Sequence, residues 1–138
     1  MALAWVREDT PVWDATKQAI VGGAPPGALE LPPLAPGDLA PGEWFHVEDG
    51  GTILGYAWMD STWGDAEVTL AVDTKRGGEG IGAFILEHLE KEAAARGVNY
   101  LYNAVRPTHP ERERITRWLE GHGFQPSGEG LMKKHVRR

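Results

Sequence analysis

Between Ala66 and Arg96 the chain passes from a strand-like run, Ala66 to Val72, through four glycines in six positions, Gly77, Gly78, Gly80 and Gly82, into an amphipathic helix. The glycines strip side chains from the point where a helix begins. Bare backbone N–H groups therefore gather at the positive end of the helix dipole, which is a place to hold phosphate. At 100° per residue, Ile81, Phe84, Ile85, Leu86, Leu89 and Ala93 fall within an arc of about 200°, with Glu87, Glu90 and Lys91 opposite. One broad face must be buried against a sheet. Glu87 and Lys91 form an i,i+4 pair on the wet face, and Gly97 is the expected residue just past the helix end. Val98 to Val105 reads as the next strand. Strand, helix and strand at this spacing imply a right-handed crossover and a parallel pair.

The flanking elements follow from turn and cap chemistry. Ala2 to Arg7 is a short strand candidate, and Asp9-Thr10-Pro11 reads as a capped helix start running to about Val21, ended by Gly22-Gly23. The proline-rich stretch to Gly42 has no periodicity and reads as an ordered loop. Trp44 to Glu48 and Thr52 to Met59 are strand-like runs around Asp49-Gly50-Gly51, whose glycines supply the positive φ of a tight hairpin. A second break at Ser61 to Asp65 leads into Ala66 to Val72, so three antiparallel strands lie in a row. Thr108 or His109 caps a helix from Pro110 to about Gly121, with Ile115, Trp118, Leu119 and His122 on one face. Phe124 and Leu131 to Val136 close the sheet as a hairpin around Ser127 to Gly130. The result is an α/β (α+β) domain: a mixed, mostly antiparallel twisted sheet of six to seven strands, with helices on both faces.

Composition narrows the functional classes. A chain of 138 residues is one domain by length, 1–138, with one core. The absence of cysteine excludes disulfides, thiolate catalysis and Cys-based zinc sites. No apolar run approaches the ~20 residues of a membrane span, and a cytoplasmic protein with no membrane partner is the expectation. A net charge of −6 argues against a nucleic-acid partner. The locally basic end, Lys133, Lys134, His135, Arg137 and Arg138, reads as a solvated strand end. The five histidines lie on different elements without a His-Glu-x-x-His pair, so no metal is expected. His88 falls inside the apolar arc and reads as a satisfied core histidine.

Four segments in order carry a resemblance to a known family: Gly51 to Ala57, Ala66 to Val72, Arg76 to Ala83, and Gly121-His122-Gly123-Phe124. Together they resemble the GNAT superfamily of N-acetyltransferases, over the chain from about Trp44 to its end. The resemblance implies acetyl-CoA as acyl donor, with its pyrophosphate on the N–H groups of Gly77, Gly78, Gly80, Gly82 and Ala83. It also implies a sheet splayed between strands 4 and 5, where the pantetheine arm pairs with Leu70, Ala71 and Val72. The family's usual spacing puts Gln or Arg where this chain has Gly77, with Arg76 one residue early. Either the loop carries an extra residue and Arg76 still reaches the phosphates, or the charged contact is lost. Rossmann and P-loop alternatives fail, because Ala83 and Ile85 occupy the required third glycine positions and no Gly-Lys-Ser/Thr follows.

The chemistry points to Glu67. An amine must lose a proton before it attacks a thioester. Glu67 is the only ionisable group in its strand, on the face shared with Thr69 and Ala71. In several members of the superfamily a glutamate in a similar strand serves as general base; the alternative is an ordinary exposed carboxylate. Many members carry a Tyr four residues before the Gly-Phe pair, where this chain has Leu119, and an Asn seven residues earlier, here Arg112. Asn103, Tyr102 and Tyr100 are candidate substitutes for the missing hydroxyl, each also readable as a structural strand residue. Asn103 is counted with the residues around the cofactor. Trp44, Trp58, Trp63 and Trp118 either wall a substrate pocket or belong to the core. Trp58, Asp60 and Asp65 are the candidate acceptor residues, forming an acidic, aromatic rim for a cationic amine. The functions in view are an acetyltransferase acting on a small-molecule or peptide amine, and a catalytically weak or inactive acyl-CoA-binding or regulatory module of the same fold. Homodimerisation is left open.

Overall fold

The computed structural model describes residues 2–25, 27–29, 31–76 and 80–137. In chain order the elements are β1 (Leu3–Glu8), α1 (Ala15–Ile20), β2 (Glu43–Asp49), β3 (Thr52–Thr62), β4 (Asp65–Val72), α2 (Ile81–Ala95), β5 (Tyr100–Ala104), α3 (Arg112–Gly121), β6 (Gln125–Pro126) and β7 (Leu131–His135). A single 3-10 turn, Thr74–Arg76, follows β4. The strands form one seven-stranded sheet in the order β1-β2-β3-β4-β5-β7-β6. Every neighbouring pair is antiparallel except β4 and β5.

The hairpins form where glycine or a short turn permits positive φ. Gly50 and Gly51 sit at φ 58° and 89° between β2 and β3, as a two-residue turn matching strand twist requires. Between β3 and β4 the same conformation falls on Trp63 and Gly64, at φ 51° and 88°. The two strands are longer than expected: β3 continues through Asp60 and Ser61 to Thr62. Both faces of the sheet are covered. Phe45, Val47, Ala57, Met59, Ala66 and Val68 pack under α2 and α3. On the other face Trp44, Tyr56, Trp58 and Ala71 pack with Trp13, Ile20 and Val21 of the α1 region. The absence of a side chain at Gly55 lets α2 settle on the sheet, since a Cβ there would lie 3.3 Å from Ile85 Cδ1.

Four expectations are corrected. The first helix starts at Ala15 rather than Pro11, capped by Asp14, whose side chain accepts from the Lys17 N–H at 2.8 Å. The residues before it pair with the proline-rich segment instead: Trp13 N donates to Asp38 O at 2.7 Å, and Ala40 N to Pro11 O at 2.8 Å. Glu90 is buried rather than wet, and the basic end is not simply solvated, because the two meet. Lys134 Nζ and Arg137 Nη2 lie 3.0 and 2.8 Å from Glu90 Oε1, and Lys133 Nζ is 3.4 Å from Asp65 Oδ2. Finally, α3 begins at Arg112 with no side-chain cap. Thr108 Oγ1 donates to Gly27 O at 2.7 Å, while His109 Nδ1 accepts the Glu111 N–H at 3.0 Å.

Other details follow the expected pattern. Glu87 and Lys91 pair at 3.5 Å on the exposed face of α2. His88 directs Nδ1 to Phe84 O at 2.9 Å and stacks on the Phe84 ring, centroids 4.0 Å apart.

Candidate active site

The parallel ladder between β4 and β5 is short, and its shortness makes the site. Pairing runs only from Asp65–Tyr100 to Glu67–Tyr102. One residue further on, Asn103 Nδ2 donates to the Val68 carbonyl at 2.8 Å, so a side chain replaces the next rung and the strands part. Antiparallel ladders alternate residues that exchange both bonds with residues that face away. Asp73 N donates to Leu54 O at 2.8 Å, and Tyr56 stands opposite Ala71. Ala71 therefore directs its backbone groups to β3, while Leu70 and Val72 turn theirs into the opening. Of the three backbone positions expected to meet a pantetheine arm, two face the gap.

A cavity of about 570 Å³ occupies this opening, in the range of small-molecule sites. Its walls come from both faces of the sheet. On one side lie Leu70, Val72, Gly80, Gly82, Ala83 and Trp118; on the other lie Leu31, Trp58, Asp60, Glu67 and Thr69. Asn103 stands between them in the wall. The cavity thus passes through the sheet at the point where β4 and β5 diverge.

At its α2 end the donors are backbone. Gly80 is the N-cap at φ 75°, without a side-chain hydrogen bond, and the first turn carries no acid. The first helical bond is Phe84 N to Gly80 O at 3.0 Å, so the N–H groups of Ile81, Gly82 and Ala83 precede it and have no helical acceptor. Gly82 has a further reason to lack a side chain: a Cβ there would lie 2.9 Å from Trp118 Cζ2. The residues present suit an anionic group at the helix start and an amide-bearing chain along Leu70 and Val72, which is the chemistry of acyl-CoA. Gly77 and Gly78 lie outside the described residues, and so does the register question raised by Arg76.

On the opposite face Glu67 and Asp60 are cross-strand partners, as are Thr69 and Trp58. Tyr102, next to Glu67 in the parallel register, has its phenol pushed up by burial and then by Glu67, Asp65 and Asp60. It stays a neutral donor and is a poor source of protons. Tyr100 is turned away against the His135 ring, with centroids 5.1 Å apart. Leu119 is 1% exposed and closes the cavity floor without a hydroxyl. Asp65 lies outside the cavity wall and pairs with Lys133.

The tryptophans divide. Trp58 and Trp118 line the cavity. Trp44 is core, fully buried and stacked on Trp58 with centroids 4.4 Å apart. Trp63 is 99% exposed on its hairpin, away from the cavity. Neither Trp44 nor Trp63 walls a pocket, because one lies beneath the wall and the other beyond the strand ends. Sequence reasoning missed Leu29, Leu31, Pro32 and Pro41, which complete the wall from the proline-rich segment. Their only signal was apolar residues inside a segment without periodicity. It also missed Arg106, His109 and Arg114, brought to the cavity by the turn into α3. Among the described residues no group of three or more His, Asp or Glu is placed to hold a metal ion. No helix among them is long and apolar enough to cross a membrane.

A mixed sheet that opens between a parallel pair, with a glycine-led helix on one side of the opening and a carboxylate on the other, defines an acyl-CoA acyltransferase type of domain. The profile of the Acetyltransferase (GNAT) family matches residues 11–124, and the chain belongs to that family. Solved structures share the fold. The ribosomal-protein-S18-alanine N-acetyltransferase from Escherichia coli aligns at TM-score 0.61 and 17% identity, over 99% of this chain and 96% of that one. An N-acetyltransferase from Staphylococcus aureus Mu50 aligns at TM-score 0.56 and 21% identity, over 69% and 68%. The PaiA N-acetyltransferase from Thermoplasma acidophilum, solved in complex with coenzyme A, aligns at TM-score 0.57 and 18% identity, over 67% of this chain and 59% of that one. No curated protein matches by sequence.

Proposed function

We propose that this protein is an acyl-CoA-dependent N-acetyltransferase that moves an acetyl group from acetyl-CoA to a primary amine of a small molecule or peptide. One observation carries the reading: the cavity through the sheet joins the α2 start on one face to Glu67 on the other. Acetyl-CoA supplies the activated thioester. The N–H groups of Ile81, Gly82 and Ala83, with those of the loop at Gly77 and Gly78, hold its pyrophosphate. Leu70 and Val72 pair with the pantetheine amides, and a free N–H on this edge polarises the thioester carbonyl. Glu67 takes a proton from the ammonium, directly or through a water, because an amine with a pKa of about 10 is mostly protonated at neutral pH. The amine nitrogen then forms the C–N bond as the C–S bond breaks; the sulfur departs as thiolate and takes up the second proton that the new amide nitrogen sheds. A thiol of pKa about 8.5 leaves without an acid. That accommodates Leu119 where many relatives have Tyr.

The test is coenzyme A release in a panel of primary amines, read with a thiol reagent. The chain has no cysteine, so the protein adds no background. Glu67→Gln is expected to lower kcat at pH 7 by about 10² or more. The loss should shrink as pH rises and the free-base amine becomes abundant, while acetyl-CoA affinity is unchanged. An unaltered pH–rate profile removes Glu67 from the mechanism. The buried Leu119 also favours a second reading, an acyl-CoA-binding module without turnover. Calorimetric binding of acetyl-CoA with no release for any amine would leave that reading alone.

A further inference from the structure

The acceptor side of the cavity is built from two unlike materials. The sheet contributes the cross-strand pairs Trp58–Thr69 and Asp60–Glu67, so two carboxylates stand opposite each other beside an indole. Like charges directly opposed on one face repel, and a cation held between them offsets that repulsion. Among the described residues Asp60 makes no ion pair, whereas Asp65 at the strand end is matched by Lys133. The chain also passes close over Asp60: a Cβ at Gly42 would lie 3.2 Å from Asp60 Oδ1.

Among the described residues the facing wall is apolar and poor in donors. Leu29, Leu31, Pro32 and Pro41 supply it, and proline has no N–H to offer a carboxylate or a sugar hydroxyl. The described residues of this segment are anchored. Thr108 holds Gly27, the 11–13 stretch holds 37–40, and Leu29, Leu31 and Leu34 pack on the Trp13–Trp44 core. The cationic cavity residues Arg106 and Arg114 belong to the turn into α3 and to α3 itself, whose Ile115, Trp118 and Leu119 pack with the core under α2. Arg114 is already held by Glu111, with Nη2 2.7 Å from Glu111 Oε2.

We propose that the acceptor is an apolar monoamine, a primary amine whose ammonium is its only charge, carried on an aromatic or alkyl body. The ammonium sits between Asp60 and Glu67 against the Trp58 face, and the body lies on the leucine and proline wall. A substrate carboxylate next to the amine would meet the same two acids and be rejected. Asp60 is here a specificity residue and Glu67 keeps its role as base. The proposal rests on the acetyltransferase reading above.

The minimal comparison is 2-phenylethylamine against phenylalanine, which differ by one carboxylate, with a free-amino tetrapeptide as a third arm and acetyl-CoA as donor. The expected result is a kcat/KM for phenylethylamine at least tenfold above both others. Asp60→Asn should raise KM for phenylethylamine about tenfold, the factor that about 1.4 kcal/mol of lost binding gives. It should change kcat less than twofold and leave KM for acetyl-CoA alone. Equal or better use of phenylalanine or the peptide, or an unmoved KM in Asp60→Asn, overturns the substrate class while leaving acetyl transfer standing. If no amine releases coenzyme A, phenylethylamine and phenylalanine are titrated calorimetrically into the protein saturated with coenzyme A. Selective binding of phenylethylamine then supports the acceptor class although the transfer reading has failed; absence of binding overturns both.

Discussion

Glu90 ties the end of the chain to α2, and its replacement by Gln should cost stability in a way that depends on pH. The side chain is 5% exposed. It accepts from Lys134 Nζ at 3.0 Å, Arg137 Nη2 at 2.8 Å and the Arg137 backbone N–H at 2.9 Å. Burial pushes the carboxyl up, but the Arg137 side chain and backbone, and then Lys134, outweigh it and hold the group at about 2 instead of 4.5. A depressed carboxyl stabilises the fold above its unfolded value and loses that contribution as pH falls through the folded one. At about 1.4 kcal/mol per pH unit, the difference is worth about 3 kcal/mol at pH 7. The same relation leaves about 1.4 kcal/mol at pH 3, and almost nothing below pH 2. Glu90→Gln keeps the shape and removes the charge. Urea unfolding of both proteins should therefore show a gap of about 3 kcal/mol at pH 7 that closes to less than half at pH 3. A gap that stays the same at both pH values, or that is below about 0.5 kcal/mol at neutral pH, would refute the argument, because surface-like pairs give no more.

The cavity offers further tests beside the Glu67 and Asp60 variants. Gly82→Ala places a methyl against the Trp118 ring and should cost about 1–3 kcal/mol and weaken acetyl-CoA binding in calorimetry. Gly121→Ala, at a helical site with nothing within 4 Å, should be neutral or slightly stabilising by comparison. Asn103→Ala leaves the Val68 carbonyl without its side-chain partner. It should cost about 1–2 kcal/mol, seen as a fall of roughly 4–8 °C in Tm. A Tm unchanged within 1 °C would mean that water replaces the amide at no cost.

Periodicity and turn chemistry carried much of the architecture. The Gly50-Gly51 hairpin, the α2 apolar arc and the β4–α2–β5 crossover were all legible, because each depends on a local rule: positive φ, a 3.6-residue repeat, a connection length. The first helix was misplaced because Pro11 and Asp9 satisfy the local signature of a helix start, while the competing pairing of Trp13 with Asp38 joins residues 25 apart in sequence. Glu90 was misjudged for the same reason. Its helical angle says solvent, and the strand that covers it returns from residue 131 onward. In the site, Glu67, Trp58 and Asp60 were visible as chemistry on strands. Leu29 and Leu31 were not, since nothing in an aperiodic segment tells which of its residues will face a cavity.

What the sequence determined alone is therefore most of the elements, the donor end of the site, which is a strand and a glycine-led helix start, and the acid Glu67 on the alternating face. Those are properties of neighbours along the chain. Only the tertiary structure decided that the sheet opens after Glu67, that Asn103 holds the edge of that opening, and that Asp60 and Glu67 share one cavity with the proline-rich segment. Each of these joins residues distant in sequence. Their geometry is set by packing and by which backbone groups find partners, and no local pattern records that outcome.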